Sequence, residues 1–501
     1  MSTISFELMF YITTPIPYTN SQPHLGHLLE AVFNDTVARF YRTIDPETRL
    51  SMGLDQHGLK IYQKALELGQ DPVTYAVTQG QVFKDLWTAF NISYDRFIET
   101  TSNEHKALVR LVWSDLQQKK LIYKKFYEGL YCVGDEAFVT EKDLVDGYCP
   151  NHPGQKPILM REENYFLRLS EFTEPILQFL QTADIQPDYV AKEFSNFVSE
   201  GLQDISISRE KTKLPHGIEV PNDPNQVVYV WFDALLNYLT AVVDPELLKR
   251  LWKEPENLAL QAEVWQQIRA GMPISLMYLG KDIAKFHLVV WIGILSALGL
   301  PLPKRALIHG FINDAQGRKF SKSLGNGVFP EELVAKFGVD GTRFLLLFEI
   351  NVRGDTNFDW TKMIASYNAH LADNLGNLVM RVTNLVDKTL AGMIDFQSVP
   401  SPFDFQEVKT KMEALEVKEA LQVVLLGCSW GNEYLEQTQP WKLAKEGKLD
   451  EAKMVIARLC RLLLDLSQVL SIFLPQTAEK IRQILQHQPI TKAGVLFPKV
   501  E

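Results

Sequence analysis

Residues 8–14 (LMFYITT) form an apolar run of β-branched and aromatic side chains, closed by a loop at 15–23 that begins and ends with proline. Behind that loop, Pro23-His24-Leu25-Gly26-His27 opens a helical pattern reaching Arg42. A second apolar run at 49–54 ends at Asp55, and a helix is expected around 61–67. Strand, loop, helix and strand in so short a span predict a βαβ unit, the building block of a doubly wound parallel sheet.

The rest of the chain divides by pattern. Residues 73–125 read as helical. Residues 126–215 change character, with Tyr131-Cys132, Cys149-Pro150 and a Gly/Pro-rich stretch, and read as an insertion. Strand-then-helix signals return at 227–238 and 274–298, and another short strand is expected at 306–311. Beyond residue 360 the strand signals vanish, and apolar residues recur at helical spacing through 364–390, 417–436, 452–473 and 478–486. A Pro/Ser/Asp-rich link at 395–405 and Pro440-Trp441 interrupt that run.

The expected architecture is therefore α/β: a doubly wound, Rossmann-like domain split by an insertion and followed by an all-α bundle. Boundaries are expected at 1–125 and 216–315 for the two halves of the α/β domain. The insertion takes 126–215, a loop region 316–360, and the helical domain 361–501.

Composition excludes several classes. A chain with 46% hydrophobic and 22% charged residues can bury a sizeable core. The apolar stretch at 287–302 carries His287 and ends among Pro301 and Pro303, so a buried helix is expected there and no membrane span. The N-terminal region lacks the layout of a secretory signal, which makes a cytoplasmic protein the expectation. Four cysteines in 501 residues argue against a disulfide framework, and Cys428 and Cys460 read as core residues. The net charge of −10 resides in the first 360 residues, because 361–501 hold 16 charges of each sign. Binding to a polyanion, if any, must therefore be argued from motifs.

Two motifs carry chemistry. His24 and His27 lie three apart at a helix start, where free N–H groups and the positive dipole end favour a triphosphate. Gly26 between them lets a nucleotide approach the backbone. Lys319-Phe320-Ser321-Lys322-Ser323 lies in a loop running to Gly327, where two lysines can close over developing phosphate charge. Either motif alone has a bland reading; in this order and at this separation, together they do not.

HLGH and KFSKS resemble the paired signatures of class I aminoacyl-tRNA synthetases. The segments TTPIPYTNSQPHLGH, GLDQHGLKI, YVWFDALLNYL, YLGKDIAKFHLVVW and HGFINDAQGRKFSKSLGN narrow the resemblance to the methionyl-tRNA synthetase family, in the same order and over nearly the whole chain. The resemblance implies activation of methionine with ATP and Mg2+ through a methionyl-adenylate, then transfer to tRNA(Met), with release of pyrophosphate and AMP. It implies His24, His27, Lys319 and Lys322 as catalytic residues, and His24, Gly26, His27, Asp282, Gly310 and Lys322 around ATP. The substrate carboxylate attacks the α-phosphate directly, so no general base is needed. Leu25 and Phe320 depart from the family's letters at positions that pack.

For methionine the resemblance implies Ile16, Tyr18, Asp55, Trp231, Ala234, Leu235, Tyr238, His287 and Trp291, with Asp55 on the ammonium. Leu235 replaces a proline common in the family. A thioether offers almost no hydrogen bond, so aromatic shape and soft sulfur contact must recognise it. The insertion is too short for the hydrolytic editing domain of the leucine, isoleucine and valine enzymes.

Cys132-x-x-Asp135 and Cys149-x-x-His152 resemble the family's zinc knuckle, with Asp135 where a cysteine is expected; a Zn2+ site and a metal-free knuckle both fit this set. In the helical part Asn377, Arg381 and Trp441 fall at anticodon-reading positions, where unpaired bases are read by stacking and edge hydrogen bonds. A monomer is the expected state. A nucleotidylyltransferase using HxGH would be far shorter, and a non-catalytic tRNA-binding paralogue would not keep both histidines and both lysines.

Overall fold

The computed structural model describes residues 9–134, 137–139, 141–150, 156–320 and 326–501. Six parallel strands form the central sheet: β1 (Tyr11–Thr13), β2 (Arg49–Leu54), β3 (Arg96–Glu99), β4 (Asp184–Gln186), β5 (Leu276–Gly280) and β6 (Arg305–His309). Their order is β3-β2-β1-β5-β6-β4. The chain winds outward from β1 through β2 to β3, and on the other side from β5 to β6. The reversal lies between β1 and β5, and ligands of such sheets bind in the crevice at that point, beyond the strands' carboxyl ends.

The doubly wound sheet is as expected, with two additions. Residues 73–125 are not helical throughout: β3 separates the helices Pro72–Ala89 and Asn103–Gln118, and a strand begins at Ile122. Four residues with charges at both ends (RFIE) give too weak an alternation to stand out between two helices. In addition, β4 comes from the span read as an insertion and pairs with β6 as an edge strand. The rest of that span holds a four-stranded antiparallel sheet dominated by Ile122–Cys132 against Ile158–Leu167, together with the helices Thr173–Thr182 and Asp188–Ser199.

Helix α1 (Leu25–Arg42) follows β1 and buries Leu25, Leu28, Leu29, Val32 and Phe33. These side chains belong to one apolar cluster that continues through helix Pro330–Glu349 into the C-terminal bundle, including Leu378, Leu421, Leu462 and Leu466. A second cluster fills the other side of the sheet around Trp113, Phe232, Tyr238 and Trp291. After Thr356–Asn357 the described chain is helical, as the periodicity predicts.

One buried cation fastens α1 to the bundle. Arg343 is fully buried; its guanidinium pairs with Asp35 of α1 at 2.7 Å and donates to the carbonyls of Phe90 and Phe473. Phe473 is the last residue of the long bundle helix Leu449–Phe473, so the cation also meets a helix's negative end. Burial pushes Asp35 up, but the charges of Arg343 and Arg39 outweigh it and hold its carboxyl below the ordinary range.

Candidate active site

The start of α1 is organised by the two histidines themselves. His24 is the N-cap, and its Nδ1 accepts from the backbone N–H of Gly26 at 3.1 Å and of His27 at 3.4 Å. In return, Nδ1 of His27 accepts the N–H of His24 at 3.3 Å, and the rings stack 3.5 Å apart. Each Nδ1 is thus an acceptor, which places the neutral ring's proton on Nε2. Burial, and then the His24 charge, hold His27 well below the ordinary histidine range. The pair therefore carries its ring protons on Nε2 at a helix N-terminus. A side chain at Gly26 would press on the His24 ring, because a Cβ there would lie 3.0 Å from its Cε1.

Beside this, at the ends of β5 and β6, Glu30 of α1 accepts from Gly280 N–H and from His309 Nε2, both at 3.1 Å. His309 Nδ1 donates to Gly310 O at 2.9 Å. Burial pushes the Glu30 carboxyl up; in His309 the lowering by burial is outweighed by the hydrogen bond and charge of Glu30. Asp282 is exposed just beyond β5. Gly310 has no room for a Cβ, which would lie 2.3 Å from the Gly354 carbonyl carbon. The Glu30–His309 link binds α1, β5 and β6 together and escaped sequence reading, because its members are 279 residues apart.

The loop bearing the second motif is pinned at its base. Asp314 accepts from Arg318 N, Arg318 Nε and Asn326 Nδ2, each at 2.8 Å. The Asn326 hydrogen bond first, with those from Arg318, holds its carboxyl at about 2. Lys281 Nζ and Lys319 Nζ lie 4.3 and 4.5 Å from the ring centre of Phe311, and Lys281 also pairs with Asp355. Lys319 is thus held beside the mouth of the sheet crevice. Lys322 lies outside the described residues.

One side of the crevice is aromatic. Trp231 stacks on Phe286 at 3.8 Å, and Tyr238 meets Trp291 edge-on at 5.6 Å. His287 Nδ1 donates to Ile283 O at 3.0 Å, leaving Nε2 to accept the Tyr238 hydroxyl at 2.8 Å. Burial pushes His287 down to about 4, so this ring is neutral near pH 7. A short π-helical turn, Phe286–Val290, ahead of helix Trp291–Leu298 carries His287, and such turns recur at functional sites. The structure brings Trp231, Tyr238, His287 and Trp291 together. It adds Phe286, which neighbours a predicted residue but gave no signal of its own.

Ile16 lies on the loop after β1, and the loop's Tyr18 forms a β-bridge with Asp55, at the end of β2. Asp55 Oδ1 accepts the N–H of His57 at 3.3 Å. Ala234 and Leu235 are buried on the short helix Val230–Leu235 with Trp231, and Leu235 packs in the core. Between Trp231 and Ala234, Asp233 is fully buried. It takes His57 Nδ1 on one oxygen and His105 Nε2 on the other, both at 2.7 Å. Burial raises this carboxyl, but His57 and the two hydrogen bonds outweigh it and hold it at about 2.

Two further regions answer to the sequence reading. Cys132 and Cys149 are buried within the insertion, whereas Asp135 and His152 lie outside the described residues. In the bundle, Asn377 Nδ2 and Arg381 Nη1 share Asn432 Oδ1 at 3.3 and 3.5 Å, and Arg381 pairs with Glu436. Trp441 is half-buried on the short helix Pro440–Lys445. Among the described residues no helix is long and apolar enough to cross a membrane.

Comparisons with known proteins agree with this geometry. A family model described as "tRNA synthetases class I (M)" matches residues 10–156 and 152–383, and one for the anticodon binding domain of methionyl tRNA ligase matches 403–493. The methionine–tRNA ligase of Nostoc sp. is 37% identical over 494 residues, covering 96% of this chain and 90% of the relative. That of Caldanaerobacter subterraneus is 36% identical over 485 residues, covering 94% and 73%. The Mycobacterium tuberculosis methionyl-tRNA synthetase bound by methionyl-adenylate superposes with a TM-score of 0.84 at 32% identity, covering 98% of this chain and 99% of that one. Sheet, histidine pair, aromatic pocket and helical bundle thus lead to one assignment: this chain belongs to the class I aminoacyl-tRNA synthetases, in the methionyl-tRNA synthetase family.

Proposed function

We propose that this chain activates methionine with ATP and transfers it to tRNA(Met), with the following division of labour among its residues. The observation that supports the proposal is the placement of the motif residues on segments around the carboxyl ends of the neighbouring strands β2, β1 and β5. The Nε2–H pair of His24 and His27, the Asp55 carboxylate and the aromatic wall of Trp231, Phe286, Tyr238 and Trp291 all come from segments flanking the sheet's reversal point.

Methionine enters with its ammonium on Asp55 and its thioether against the aromatic rings, with Ile16, Tyr18, Ala234, Leu235 and His287 completing the walls. Its carboxylate then attacks the α-phosphate, and pyrophosphate leaves. Charge grows on phosphate oxygens, so donors fixed before the reaction are worth most. The histidines suit that role, because each ring's Nδ1 accepts a backbone N–H, which places the ring proton on Nε2. Lys319 and Lys322 supply cationic charge from the loop, and Gly310 and Asp282 border the nucleotide. In the second step the tRNA 3′ end displaces AMP, while Asn377, Arg381 and Trp441 read the anticodon. The proposal includes ATP as its Mg2+ complex, one chain per working unit, and action in the cytoplasm. It also includes the division into 1–125, 126–215, 216–315, 316–360 and 361–501.

The test is charging of a tRNA transcript carrying a CAU anticodon. Methionine-dependent AMP release and acylated tRNA are expected. A folded sample that charges neither this transcript nor any other would refute the proposal.

A further inference from the structure

The buried Asp233 lies outside the set of side chains that line the pocket, yet it joins two of its walls. Its neighbours Trp231 and Ala234 belong to the thioether wall. Through His57 it reaches the loop Asp55-Gln56-His57, which bears the ammonium-binding carboxylate. Through His105 it reaches helix Asn103–Gln118, and His105 Nδ1 is 2.8 Å from Thr240 Oγ1, just past Tyr238. His216 closes the loop from the other side, with Nε2 2.6 Å from Gln56 O and its ring 5.1 Å from that of His57. Asp55, Gln56, His57, His105 and Asp233 are all buried.

A charge placed so deep is a poor way merely to hold two elements together, since apolar packing of similar volume serves as well or better. A carboxylate with one histidine on each oxygen does something packing cannot. It fixes the rotation of both rings and, through His57, the backbone N–H that aims the Asp55 carboxylate.

We infer that Asp233 is a positioning residue for amino-acid recognition: acting through His57, it sets the Asp55 carboxylate against the substrate ammonium. This rests on the proposed methionine reading of the pocket. Asn at this position would offer one acceptor and one donor, so one of the two histidines would have to change tautomer or turn away.

The test is equilibrium binding of L-methionine and of its des-amino analogue, 4-(methylthio)butanoate, to the wild-type chain, Asp233→Asn, Asp55→Asn and the double variant. Asp233→Asn should weaken methionine binding roughly ten- to a hundredfold, the range for a charge-assisted contact. The same substitution should leave the analogue's affinity within about twofold, and should add little to Asp55→Asn. If Asp233→Asn does not fold, His57→Gln should show the same selectivity for the ammonium. Equal losses for both ligands, additive losses in the double variant, or no loss would overturn the inference. A wild-type chain that binds neither ligand would instead overturn the methionine reading, and the inference with it.

Discussion

The pocket assigned to methionine and the face assigned to the anticodon handle polarity in opposite ways. In the pocket, most of the polar side chains are buried and matched within the protein: Tyr238 with His287, His287 with Ile283, Asp233 with His57 and His105, while the buried Trp291 Nε1 has no hydrogen-bond partner among the described residues. On the bundle, Asn377 and Arg381 are only half-buried and are held by Asn432 and by Glu436, which is 64% exposed. A thioether makes few hydrogen bonds, so its site gains from rings locked in place beforehand. Base edges must form hydrogen bonds of their own, so their readers need partners that water or RNA can replace. Damage to the first region should therefore spread into folding and activation. Damage to the second should stay confined to tRNA.

The largest effect should come from the nucleotide end. His24→Asn keeps a good N-cap acceptor and removes the ring's Nε2–H. ATP–pyrophosphate exchange should fall by about 10²- to 10³-fold with little change in Tm, the cost of one transition-state donor. A matching drop in Tm would assign the histidine to the helix alone.

Trp291→Ala tests the locked pocket. The ring is fully buried, so the cavity should cost about 3–5 kcal/mol of stability and raise the methionine KM. An unchanged thermal midpoint would break the contrast with the bundle.

Arg381→Ala should lower charging of tRNA about ten- to a hundredfold while exchange stays at the wild-type rate, a split read by running both assays on one preparation. Trp441→Ala should show the same split at roughly tenfold, the value of a lost stack. Equal losses in exchange and charging would mean that the bundle supports the catalytic domain instead of reading RNA.

A last effect is set by acid. His287 and His216 are held down to about 4 in the fold, against an ordinary 6.5. Burial is the first cause for both. For His216, the His57 charge follows. Between those values the unfolded chain binds the extra protons, so stability falls as pH drops from 6.5 towards 4. Above 7 these two groups contribute no slope. A Tm that rose on acidification through this window would contradict the assignment.

Much of this was legible in the chain, and the failures have physical causes. β1 and β2 are buried on both faces and stand out as apolar runs, and the histidine pair announces the turn between them. β3 and β4 are edge strands of four and three residues, too short and polar for any periodicity. The aromatic pocket residues were visible because they lie within recognisable segments. Asp233, Glu30 and Arg343 were not. Each is a charged residue in an ordinary helical stretch, and its meaning appears only with a partner brought from more than a hundred residues away.

The contrast rests on one claim, that the aromatic pocket selects methionine before any tRNA is present. ATP–pyrophosphate exchange with each of the twenty amino acids, without tRNA, tests it directly. Exchange supported by methionine far above every other amino acid is the predicted result. Exchange with none of them in a folded sample, or stronger exchange with another, would contradict it.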